Sequence, residues 1–173
     1  ESPWLRQARS ESEARRRVGL LFDRNRLDQE TARQLTVLAE RQLEEGLWPW
    51  FPGGPPSEYI SLYIMTGFGR LRHLGIDVDA TVAVKALQAL DAWMHQRYLA
   101  NDRRDAYVPG PTDALYLYGR SFYLKDVAIA PAHREAVDYL RAQAARTWTK
   151  VDGRQSLAHL ALALHRWGDT TTP

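Results

Sequence analysis

The sequence predicts an all-α fold of helical hairpins laid side by side. Apolar residues recur at three- and four-residue spacing along most of the chain, no segment of convincing two-residue alternation suggests a sheet, and Gly-, Pro- and Asp-containing turns separate the periodic stretches. Seven segments read as helices on this basis. With 173 residues, 45% of them hydrophobic and 25% charged, the expectation is one packed domain spanning 1–173 rather than a disordered chain.

The first segment, Trp4 to Phe22, carries Leu5, Ala8, Val18, Leu21 and Phe22 around a charged stretch from Glu11 to Arg17 that reads as a solvated helical face. The second is expected from Asp28, a good N-cap, to a stop at Gly46, with Ala32, Leu35, Leu38, Ala39 and Leu43 as its core stripe. After an aromatic loop, Ser57 caps a third helix in which Tyr59, Ile60, Tyr63, Ile64, Phe68, Leu71 and Leu74 make a broad apolar surface ending at Gly75. Asp77-Val-Asp79 opens a fourth, with Ala83, Leu87, Leu90, Met94 and Tyr98 in register up to Asn101.

Residues 102–111 are polar and punctuated by Pro and Gly, so they read as a loop. A fifth helix, Thr112 to Leu124, aligns Leu115, Tyr118 and Phe122; a sixth begins at Pro131, suited to a first helical turn, and repeats Val137, Leu140, Ala144 and Trp148. Asp152-Gly153 turns the chain into a seventh, with Leu157, Leu160, Ala161, Leu164 and Trp167 before Gly168. Helix, glycine turn and helix recur at about 40 to 50 residues, a period that suits a solenoid or a closed ring.

The corner between the second and third helices decides between those two. Gln42, Gly46 and Trp48 match a Gln-x-x-x-Gly-x-Trp pattern known from α/α toroids such as triterpene cyclases. A glutamine amide near a helix terminus can satisfy backbone groups of the adjacent helix while an indole packs over it, and glycine supplies the positive φ between them. The fold expected is therefore antiparallel helical hairpins forming part or all of an α/α toroid, with Gln42, Gly46, Trp48, Trp50 and Phe51 as an architectural corner. The alternative for Trp48, Trp50 and Phe51 is a stacking platform for a sugar or a peptide.

The residue pattern holds no specific catalytic constellation. Asp77-x-Asp79 could be read as a cation-binding carboxylate pair, but its place between a glycine stop and a helix start suits capping. Glu58, Asp102, Asp105 and Asp113 sit at loop or helix ends; two of Glu58, Asp105 and Asp113 would be the acid and base of a carbohydrate- or prenyl-active toroid, for which convergence cannot be argued from spacing. His73, His95, His133, His159 and His165 never pair at i, i+3 or i, i+4, so no metal is expected, and with no Gly-x-Gly-x-x-Gly or phosphate-binding loop in the sequence no other cofactor is expected either. Ser121 and Ser156 lack a nucleophile elbow, and Gly67-Phe-Gly69 lies within a helix, where small residues permit close packing. There is no cysteine. A net charge of +2 with a pI near 9.0 comes from basic residues scattered among carboxylates, so nucleic acid is not expected as a partner, and no apolar run approaches a membrane span.

Taken in order, Ser2-Pro-Trp-Leu5, Leu20-Leu-Phe-Asp-Arg-Asn25, the loop Gly46-Leu-Trp-Pro-Trp-Phe-Pro-Gly-Gly54 with the helix after it, Tyr116-Leu-Tyr-Gly-Arg-Ser-Phe122 and Ala161 to Asp169 resemble the thioester-domain region of bacterial alpha-2-macroglobulin family proteins. The resemblance spans nearly the whole chain, and the tryptophan-rich loop is its most specific part. It implies an α/α toroid carried within a long extracytoplasmic chain, in the periplasm or at the cell surface of a bacterium. The other macroglobulin-type domains of that chain would be its partners, and proteases its targets. Opening at Glu1 and closing at Pro173, the chain reads as an excerpt of such a protein. It departs from the family in having no Cys-x-Glu-Gln motif, so no thioester resides in this piece. Either that motif precedes Glu1 or the chain resembles the branch without a thioester, which the Ser-Pro-Trp opening and the Leu-Phe-Asp run favour. What the resemblance implies is a non-enzymatic module for endopeptidase inhibition by entrapment, or for cell-envelope defence. The other readings are the toroid enzyme and a purely structural interaction domain.

Overall fold

In the computed structural model of the protein, residues 9–16, 19, 24–102 and 104–170 are described, and most of them are helical. The all-α class is what the periodicity predicted. The chain divides into two units, Glu1–Arg41 and Gln42–Pro173. Among the described residues no helix is long and apolar enough to cross a membrane.

In the first unit, residues 9–16 and 19 are helical and helix α1 spans Arg24–Glu40. The apolar positions expected of the first segment, Leu5, Ala8, Val18, Leu21 and Phe22, lie outside the described residues, as do Ser2-Pro-Trp-Leu5 and Leu20 to Asp23. Helix α1 corrects the expected boundaries at both ends. Asp28 lies a full turn inside the helix instead of capping it, and the helix stops at Glu40, six residues before Gly46. The reason for the early stop is local: Arg41 N–H still bonds Val37 O, but Leu43 N–H turns to Leu47 O and Gly46 N–H to Leu43 O, a reversal incompatible with a continuing helix. The expected core stripe is also not a core. Leu35 and Leu38 are half-buried, Ala32 and Ala39 exposed, and the surface carries a Glu30–Arg33 ion pair joined by Gln34.

The second unit opens with a feature the sequence did not predict, an antiparallel hairpin of two-residue strands, β1 (Trp48–Pro49) and β2 (Pro56–Ser57), with Trp48 opposite Ser57. Helices α2 (Glu58–His73), α3 (Thr81–Leu99), α4 (Pro111–Arg120), α5 (Pro131–Thr147) and α6 (Arg154–Arg166) follow. The last turn of the expected fifth helix tightens into a 3₁₀ turn at Ser121–Tyr123, and a similar turn follows α5 at Trp148–Lys150. Ser57 caps α2 as expected, its side chain accepting from Ile60 N–H at 3.4 Å. Asp79 works just ahead of α3, accepting from both the N–H (2.9 Å) and the hydroxyl (2.6 Å) of Thr81, which hold its carboxyl below the usual carboxylate range.

The helices touch in an alternating pattern. Helix α4 packs on both α2 and α6, and α3 packs on α5, while α2 and α3, adjacent in the chain, also meet. Helix α4 is the centre: every residue from Asp113 to Arg120 is buried. It approaches α2 closely because both carry glycine at the crossing. A Cβ on Gly119 would sit 2.4 Å from Thr66 Oγ1, and one on Gly69 would sit 2.7 Å from Phe122 Cβ. Ala83, Leu87, Leu90, Met94 and Tyr98 of α3 are buried as predicted, as are Val137, Leu140 and Ala144 of α5.

Helix α2 is rotated relative to expectation. Its buried face is Ser61, Leu62, Met65, Thr66, Phe68 and Gly69, while Tyr59, Tyr63 and Leu74 face water. Leu62 and Met65 are purely apolar and shorter than a tyrosine, so they fit against α4 at glycine-determined distance; the phenols, with a polar tip, tolerate the outside.

Candidate functional site

The corner motif separates into an inner and an outer half. Gln42 Nε2 donates to Gly46 O and to Val82 O, both at 2.7 Å, tying the turn before the hairpin to the first turn of α3. Gly46 has φ +89°, and a Cβ there would lie 2.9 Å from Lys85 O, so both its backbone conformation and its space require glycine. Trp48 is buried at 2% exposure; its N–H donates to Ser61 Oγ at 2.8 Å, and that hydroxyl donates to Ser57 O, locking the hairpin onto α2.

Trp50 and Phe51 belong to the outer half. They are 64% and 58% exposed and brace nothing internal. The strand ends at Pro49, so the chain bends at Trp50 and releases the two rings outward while Gly54 N–H closes the loop onto Phe51 O at 2.9 Å. Trp50 lies nearly parallel to Tyr59, with centroids 6.1 Å apart and planes 24° apart, and Tyr59 meets Tyr63 edge-on at 4.9 Å. A hydrogen bond with Tyr63 raises the Tyr59 phenol pKa. Together these residues form an exposed aromatic face.

That face continues into a groove of about 180 Å³ between the start of α4 and α6, walled by Tyr59, Tyr63 and Thr112 on one side and Gln155, Ser156 and His159 on the other. His159 stacks on the buried Tyr118 at 4.6 Å with planes 10° apart, and Arg166 lies over the same tyrosine ring, so the imidazole is held flat. Burial, and then the neighbouring Arg70, push the His159 pKa down, which leaves its ring uncharged at neutral pH.

The carboxylates named as a possible acid and base are placed apart by element. Glu58 is in the first turn of α2, Asp105 is exposed in the turn at Arg104–Ala106, and Asp113 is in α4. Asp113 is 2% exposed and occupied: its Oδ2 accepts from Gly110 N–H and from the Tyr107 hydroxyl, and its Oδ1 is 3.3 Å from Arg97 Nη1. Asp102 is exposed, as are Asp77 and Asp79.

A second buried network, absent from the sequence reading, joins Asp91 of α3 to Tyr116 and Arg120 of α4. Tyr116 donates to Asp91 Oδ1 at 2.6 Å, Arg120 Nε lies 3.3 Å from Asp91 Oδ2, and Arg120 Nη2 donates to Val127 O at 2.9 Å. Burial raises the Asp91 carboxyl despite these partners, and raises the Tyr116 phenol as well. Of the histidines, His95 and His133 come within 5.4 Å centroid to centroid; among the described residues no group of three or more His, Asp or Glu gathers to hold a metal.

A wider cleft of about 490 Å³ opens where α2 and α6 end, lined by Arg72, His73, Lys125, Asp126 and Arg166. Its cations are largely committed: Arg72 pairs with Asp126 at 2.5 Å, and Arg166 lies 4.0 Å over Phe122 while donating to Ser121 Oγ. Basic residues in last helical turns complement the helix dipole, which accounts for this cluster.

No family model, curated protein or solved structure matches the chain.

Proposed function

We propose that the chain is a binding and scaffolding module rather than a catalyst, part of an α/α toroid of antiparallel hairpins within an extracytoplasmic protein of alpha-2-macroglobulin type that traps proteases. The observation that carries this reading is the Gln42 brace. In α/α rings the glutamine, glycine and tryptophan of a corner hold successive helices together. Here the Gln42 amide spans Gly46 O and Val82 O, and Trp48, six residues on, is buried. The inner half of the loop with the strongest resemblance thus serves architecture, and the outer half, Trp50 and Phe51, does not.

The helix contacts support the toroid. Helices α2, α4 and α6 form one row and α3 and α5 another, so successive helices alternate between two layers, as they do in an arc of an α/α ring. Of the three carboxylates named as a possible acid and base, Asp113 is engaged in an internal network, which supports a non-catalytic role.

The test uses the full-length protein that carries this chain, incubated with trypsin and with elastase. Entrapment predicts that digestion of casein falls while cleavage of a small chromogenic peptide by the same protease persists. Undiminished casein digestion by both proteases, at a molar excess of the protein, overturns the proposal.

A further inference from the structure

We propose that the groove beside Tyr59 and Tyr63, together with the Trp50 ring, is a binding site for a neutral carbohydrate chain. The site is independent of the protease-trapping reading and rests on three observations.

The first is size and shape. At about 180 Å³ the groove is close to the roughly 150 Å³ of a cavity known to take one benzene ring, so it has room for one six-membered ring. Leu115 and Pro111 give that seat an apolar floor, and Tyr59 is shared between the groove and the outer aromatic face. A ligand extending from the seat would run over Tyr59 onto Trp50, which is 64% exposed. A chain of linked rings would occupy both the seat and the outer aromatic face, whereas a compact metabolite would occupy the seat alone.

The second is the chemistry of the walls. Six lining residues, Tyr59, Tyr63, Thr112, Gln155, Ser156 and His159, carry neutral groups that both donate and accept hydrogen bonds, and none of the lining residues is an Asp, Glu, Lys or Arg. Groups of that kind match a ligand whose own groups also donate and accept, namely sugar hydroxyls. A proline-rich segment has backbone carbonyls and no N–H, so it calls for donors alone, and a phosphate or carboxylate calls for cations.

The third is pre-organisation. Pyranose rings present weakly positive C–H edges to the negative face of an aromatic ring, so the rings must be fixed and open on one face. Trp50 hangs on a hairpin pinned by Ser61, Tyr59 and Tyr63 stand one turn apart on α2, and His159 is held by its stack on Tyr118. Little ordering remains to be paid on binding.

The experiment is isothermal titration calorimetry of the 173-residue chain with maltohexaose, cellohexaose and chitohexaose, with decaproline as the peptide control. At least one hexasaccharide is expected to bind saturably at micromolar to millimolar concentration. Trp50→Ala and Gln155→Leu, both at exposed positions, are each expected to weaken it about tenfold while leaving the melting temperature unchanged. No heat from any of the three hexasaccharides overturns the proposal, as does binding unaffected by both substitutions. Decaproline bound through Trp50 without any sugar bound also overturns it, in favour of a proline-rich partner.

Discussion

Arg120 Nε stands 3.3 Å from Asp91 Oδ2 with both side chains inside the helical core, the arginine fully buried and the aspartate 5% exposed. Such a pair gives little net stability over an apolar pair, but breaking it is severe, because the survivor is a buried, uncompensated charge. Arg120→Met is expected to destabilise the fold by about 3–5 kcal/mol in urea unfolding, and the double variant Asp91→Leu/Arg120→Met to recover most of that loss. A double variant no better than the single one would show that the hydrogen bonds lost at Tyr116 and Val127, and not the unpaired charge, carry the loss.

The two tryptophans of the hairpin predict opposite outcomes. Trp48→Ala removes a fully buried indole and should cost about 3–5 kcal/mol, whereas Trp50→Ala should change stability by less than about 0.5 kcal/mol. Thermal melts followed by far-UV circular dichroism separate the two.

Gln42→Leu leaves Gly46 O and Val82 O without their side-chain donor and should cost about 1–3 kcal/mol. Gly46→Ala combines a strained φ with a clash on Lys85 O, so its cost is expected to exceed that of an ordinary glycine-to-alanine change, read as a drop in urea midpoint at unchanged slope.

Gly119→Ala places a methyl 2.4 Å from Thr66 Oγ1 and 2.8 Å from Met65 Cε. The methionine can swing away, but the hydroxyl sits on a helix backbone, so about 1–3 kcal/mol of destabilisation is expected. Thr66→Ala in the same chain should return part of it.

His159 predicts the pH response. Its folded pKa lies below the ordinary histidine value of 6.5 because burial and Arg70 disfavour the imidazolium. The stability it contributes is complete above pH 6.5 and is lost as pH falls from there towards the folded pKa. The melting temperature of the chain should therefore drop between pH 7 and pH 5 by more than that of His159→Gln, a difference read directly by paired melts.

Much of the helical layout was legible because α3 and α5 carry stripes whose members, such as Leu87, Leu90 and Val137, have no polar alternative to burial. Helix α2 was misread at Tyr59 and Tyr63 because tyrosine satisfies an apolar period and a solvent face equally well. Their burial depended on how closely α4 approaches, and that distance is set by Gly69 and Gly119, on segments remote in sequence. The end of α1 was placed at Gly46 because a glycine after an apolar run resembles a helix stop. Only the Leu43–Leu47 turn shows that the chain had already left the helix. The Asp91–Arg120 pair spans two helices, and single charges inside an amphipathic pattern read as solvated, so no local signal marked them.

The enclosure of α4 has a consequence for how the second unit opens. A ten-residue helix is too short to hold itself together in water, and this one borrows its order from helices on both flanks. Its amides can meet solvent only when those flanks part, so exposure of α4 and loss of the whole unit are the same event. In hydrogen exchange the Leu115–Tyr118 amides should report the global unfolding free energy, while the ends of α2 and α6 exchange through smaller openings.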